Sequence, residues 1–60
     1  MRFREVEKML LADGWYEVKI VGSYHQYKHP TKKGKITIPE HGGKDVDMNI
    51  VKKIKKQAGI

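Results

Sequence analysis

Two segments near the ends of this 60-residue chain carry apolar residues at helical spacing on one side only. Phe3, Val6 and Leu10 recur at i, i+3 and i+7, with Met9 beside them, while Arg2, Arg4, Glu5 and Lys8 fall mostly elsewhere. Towards the other end Ile50, Val51, Ile54 and Ala58 share a face, and Lys52, Lys53, Lys55 and Lys56 take the opposite one. A helix with one apolar face is stable only when that face is covered. In so short a chain the cover has to come from the residues in between.

Those residues read as strands. Tyr16, Val18 and Ile20 alternate with Glu17 and Lys19, which is period two and predicts a strand over 15–21. Gly22-Ser23 is a hairpin turn, and Tyr24 to His29 returns as a second strand. The stretch PTKKG (Pro30–Gly34) is a polar turn, and Lys35 to Ile38 is a third strand stopped by Pro39. The first helix is expected over about 3–12, closed at Asp13-Gly14. The second is expected over about 48–58, capped by Asp45 or Asp47 and closed by Gly59. The expectation is a single domain over residues 1–60 of the α+β class, ordered α-β-β-β-α. Its antiparallel three-stranded sheet carries both helices on one face, the arrangement of the double-stranded RNA-binding domain.

Composition narrows the partners. Thirteen Lys and Arg against seven Asp and Glu give a formal charge of +6, a field suited to polyanions and to nucleic acid above all. There is no cysteine, so disulfides and thiolate metal sites are out, and a reducing cytosol suits the chain. No apolar run is long enough to span a bilayer, and MRFREVEKML lacks the unbroken apolar stretch of a signal peptide. A soluble cytoplasmic protein is expected, without a membrane partner.

The stretch GSYHQYKHP (22–30) concentrates His25, His29, Ser23, Tyr24 and Tyr27, and His41 follows the third strand in IPEH. Histidine titrates near neutrality, which suits it to move protons in RNA cleavage without a metal. Taken singly, each of the three reads more readily as a half-buried or surface histidine hydrogen-bonded to its neighbours. A three-histidine metal site lacks typical spacing and any obvious nearby carboxylate, so neither metal nor cofactor is expected. Strand parity puts His25 and His29 on the same inward side as Tyr27, where a catalytic group would be poorly exposed. Lys32, Lys33 and Lys35, with Lys52, Lys53, Lys55 and Lys56, could form one basic surface for RNA, or merely a solvated face. Trp15, just after the helix stop, reads as core.

GSYHQYKHP, then GKITIPEH, then a closing helix ending KKIKKQAGI resemble the HicA family of prokaryotic toxin–antitoxin modules, in order and over nearly the whole chain. The resemblance implies a double-stranded RNA-binding-like fold and a ribosome-independent ribonuclease that cleaves messenger RNA. It also implies a HicB antitoxin that covers the active site. The essential histidine of the family's Gly-Ser-x-His falls on His25, within Gly22, Ser23 and Tyr24. Many members carry His or Asn where this chain has Tyr24, and a Gly-Thr pair where it has Met48-Asn49. His29 and Pro30 would fix the strand end, and His41 belongs to the Ile-Pro-x-His segment. Two other readings stay open: a non-catalytic RNA-binding module of the same fold, and a protein-interaction domain whose lysines are only solvated.

Overall fold

The first helix, α1 (Phe3–Ala12), opens where the Arg2 backbone N–H donates to Glu5 Oε1 at 2.9 Å. It closes at Asp13, after which Gly14 takes a left-handed φ of 101°. A Cβ on Gly14 would stand 2.9 Å from His29 Nε2, so both the backbone angle and the close approach demand glycine here. The computed structural model describes residues 1–60 and continues with β1 (Tyr16–Val21), β2 (Tyr24–Lys28), β3 (Ile36–Pro39) and α2 (Met48–Ala58). The sheet is antiparallel in the order β1-β2-β3. Between β1 and β2, Gly22 with φ 58° takes the first central place of a two-residue turn.

Both helices lie on one face of the sheet. Val6 and Leu10 from α1 and Val51, Ile54 and Ala58 from α2 meet Tyr27, Ile36 and Ile38 in one buried cluster, which Trp15 and Val46 complete. Each large side chain in it contributes about 1.5–3 kcal/mol by leaving water. Ile50, expected on the buried face of α2, is instead exposed at its margin. Asp47 rather than Asp45 caps α2, its Oδ1 accepting from the Asn49 N–H at 2.7 Å, and Gly59 closes it at φ 74°.

The register sets what each strand shows to the helices. Residues directly opposite in an antiparallel pair share a face. Tyr27 pairs with Glu17 and Ile36, and His25 pairs with Ile20 and Ile38, so these six face the helices. Strict alternation would put Tyr16, Val18 and Ile20 together on one side. A bulge between Glu17 and Lys19 breaks that parity, leaving Glu17 beneath the helices and Tyr16 on the bare face. The bare face also carries Lys19, Val21, Tyr24 and Lys28, all exposed.

The loop from β3 to α2 is fastened to the N-terminus. The Val46 N–H donates to the Met1 carbonyl at 2.6 Å, and Arg2 Nη1 donates to the Gly43 carbonyl at 3.2 Å. Arg2 Nε also faces Asp45 Oδ1 at 4.0 Å. This holds the chain after β3 beside the first turn of α1, next to His25.

Candidate active site

His25 is held by both ring nitrogens. Nδ1 lies 2.8 Å from Glu17 Oε2, and Nε2 lies 3.0 Å from Glu40 Oε1. Carboxylates only accept, so satisfying both contacts requires a proton on each nitrogen, which is the imidazolium. Partial burial works against that charge, but the hydrogen bonds to Glu17 and Glu40, and their charges, outweigh it. The pKa of His25 is raised above its ordinary 6.5. Phe3, at the start of α1, packs on the ring with centroids 4.4 Å apart and planes tilted by 49°.

Each partner arrives for a local reason. The β1 bulge turns Glu17 to the helix side, diagonal to His25. Glu40 follows β3 directly, and its N–H donates to the Ser23 carbonyl at 2.7 Å, which prolongs the sheet and sets its carboxylate over the ring. Below them the Tyr27 hydroxyl donates a short hydrogen bond to Glu7 of α1 and stands 3.3 Å from Glu17 Oε2. Burial, reinforced by Glu7 and then Glu17, holds the Tyr27 pKa far above its ordinary value, so the hydroxyl stays a donor.

The expectation that no carboxylate approaches the histidines is corrected. Glu7, Glu17 and His25 each present a donor atom within 4.8 Å of the others, because three elements converge there. The cluster is closed by protons: Tyr27 serves Glu7, and His25 serves Glu17. A divalent ion would have to displace both of those hydrogen bonds.

The inward parity of His25 is real, yet the ring is not sealed. Its side chain keeps 13% of its exposure, against 34% for Glu17 and 48% for Glu40, so the Glu40 side is the open approach. On that side lies a groove lined by Arg2, Phe3, Arg4, Glu7, Glu40, Gly43 and Lys44.

The other expected residues divide. Gly22 and Ser23 shape the turn, and Ser23 anchors Glu40 through its carbonyl. Tyr24 is half exposed on the bare face of the sheet, opposite to His25. His41 is exposed in the loop after β3, where its carbonyl accepts from the Lys44 N–H at 3.0 Å.

His29 joins a separate cluster. Its Nε2 donates to the Asp13 carbonyl at 2.7 Å, and its Nδ1 accepts from the N–H groups of Thr31 at 3.1 Å and Lys32 at 3.0 Å. These contacts fix the end of β2. Trp15 packs edge-on against it at 5.2 Å and donates to Asp13 Oδ2 at 3.1 Å.

Lys32 is tied into the same cluster, its Nζ at 2.5 Å from Asp13 Oδ2 and 2.8 Å from the Ala58 carbonyl. The Lys32 hydrogen bond, with that from Trp15, holds the Asp13 carboxyl below its ordinary pKa against some desolvation. Lys33, Lys35, Lys52, Lys53, Lys55 and Lys56 are exposed.

The sequence marks none of Glu7, Glu17, Glu40, Arg2, Arg4, Phe3 and Lys44 as a site residue. No short motif links them to His25. The only hint was a charged residue, Glu40, inside the IPEH segment.

The chain is thus an α+β domain in which a histidine held between two carboxylates lies beside a groove lined by both cations and carboxylates. The family model described as the HicA toxin of bacterial toxin–antitoxin systems matches residues 3–60, essentially the whole chain, and the protein belongs to that family. Among curated proteins no match was found. Membership makes the chain the toxin component of a toxin–antitoxin module and implies an antitoxin partner. No helix is long and apolar enough to cross a membrane.

Proposed function

We propose that the chain is a cytoplasmic, metal-independent endoribonuclease that cleaves messenger RNA without the ribosome and is silenced by a HicB-type antitoxin covering its site. The observation that carries this reading is the His25 ring held between Glu17 and Glu40 at the edge of a groove with three cations. A ring whose two nitrogens both face carboxylates, and whose pKa they raise, is suited to be the general acid. A ribose 2′-OH loses its proton to a base and attacks the adjacent phosphorus. The bond from phosphorus to the 5′-oxygen breaks, and His25 protonates that oxygen. The products carry a 2′,3′-cyclic phosphate and a 5′-hydroxyl. Glu17 orients the ring through Nδ1, and Tyr27, by holding Glu7 and lying beside Glu17, keeps that carboxylate in place. Lys33 and Lys35 with Lys52, Lys53, Lys55 and Lys56 would steer the RNA backbone, and Lys32 would serve mainly the fold.

A second reading has an observation in its favour. Both nitrogens of His25 are occupied, as in a histidine that only stabilises the fold, and the chain would then bind RNA without cutting it. Incubating the purified chain with a defined single-stranded RNA, with excess chelator, separates the two. Fragments ending in 2′,3′-cyclic phosphate support the ribonuclease. Retention of intact RNA by an active preparation, one that arrests growth on induction, supports the binding module.

A further inference from the structure

The immediate surroundings of His25 are anionic. Glu7, Glu17 and Glu40 set three carboxylates against one imidazolium, an arrangement that would repel a phosphodiester. The groove that opens beside Glu40 supplies the opposite sign through Arg2, Arg4 and Lys44, which bring the local balance to one net positive charge. These cations are not equivalent. Arg2 is already spent on the Gly43 carbonyl and Asp45, and so fixes the groove wall. The side chains of Arg4 and Lys44 are exposed and take part in no hydrogen bond or ion pair of the chain.

Their placement is held from both sides. Arg4 lies in the first turn of α1, next to the Phe3 that packs on His25. Lys44 lies in the loop that Arg2 and the Val46–Met1 hydrogen bond fasten to the N-terminus. One wall therefore comes from α1 and the other from the β3–α2 loop, with Glu40, the most exposed partner of His25, between them.

We propose that Arg4 and Lys44 clamp a phosphodiester of single-stranded RNA in this groove and present it to His25. A guanidinium can engage two phosphate oxygens at once, and an ammonium adds a point charge from the other wall. The pair neutralises the phosphate as it passes the carboxylates, and it stabilises the charge that grows on the phosphorus oxygens during attack.

This assignment rests on the ribonuclease reading but is tested apart from it. Fluorescence anisotropy with a short 2′-O-methyl oligoribonucleotide, which cannot be cleaved, measures binding whether or not the chain cuts. Arg4→Gln/Lys44→Gln should bind about 25-fold more weakly at 0.1 M salt, with a salt slope flatter by about 1.4, from two lost contacts at roughly 0.7 each. With cleavable RNA its single-turnover rate at saturation should fall as well. Parent affinity and parent slope for the Arg4/Lys44 variant would overturn the clamp and leave any cleavage unaffected. So would a groove variant whose saturating rate is unchanged.

Discussion

Glu17 Oε2 lies 2.8 Å from His25 Nδ1, although regular strand pairing would set the two side chains on opposite faces of the sheet. The bulge after Glu17 removes that restriction. It trades one regular rung of the β1–β2 ladder for a carboxylate that orients the ring and holds its proton.

That contact fixes the pH behaviour. The His25 pKa is raised in the folded chain, so its contribution to stability is fully present below about 6.5 and is lost as pH rises through the raised value. Melting temperature should therefore decline with pH across that window. Glu17→Gln and Glu40→Gln should each flatten the decline and move the alkaline limb of cleavage to lower pH. A cleavage profile with an unmoved alkaline limb in both variants would mean that another group supplies the proton.

Gly14 is expected to be the least replaceable glycine. Gly14→Ala places a side chain at φ 101° and against His29 Nε2. It should lower stability by about 1–3 kcal/mol. Denaturant unfolding measures this, and a midpoint equal to the parent's would show that the α1–β1 junction relaxes freely.

Lys32→Met keeps the aliphatic stem but removes the ties to Asp13 and to the Ala58 carbonyl. The expected cost is about 1.5 kcal/mol in unfolding free energy. RNA affinity should change little, because this ammonium is engaged within the fold. Strongly weakened RNA binding at unchanged stability would return Lys32 to the RNA surface.

Much of the scaffold is legible in the sequence because it follows from local chemistry. The two amphipathic faces, the stops at Gly14 and Gly59 and the Gly22-Ser23 turn each depend on residues only a few positions apart. The environment of the site is not local. Glu17 and Glu40 stand 8 and 15 residues from His25 and reach it through a bulge and an interstrand register, neither of which alternation encodes. Parity made His25 look sealed by the helices. It could not reveal that the ring is open on the Glu40 side, where it meets a groove. The role of Lys32 was hidden for the same reason, since Asp13 and Ala58 are distant in the chain.

Chelation should leave the reaction intact. Tyr27 and His25 already close the only carboxylate–histidine cluster around the site with hydrogen bonds. Cleavage in excess EDTA should proceed at the untreated rate. Loss of activity in EDTA, restored by a divalent ion, would place a metal in that cluster and overturn the acid–base account.

The most direct measurement is the single-turnover cleavage rate of His25→Ala beside the parent, on one defined single-stranded RNA at neutral pH in excess chelator. Circular dichroism serves as the folding control. The account predicts a folded variant that binds the RNA but cleaves it about 10²–10⁴-fold more slowly, the usual worth of a positioned proton-transfer group. A folded His25→Ala that cleaves at the parent rate would contradict it.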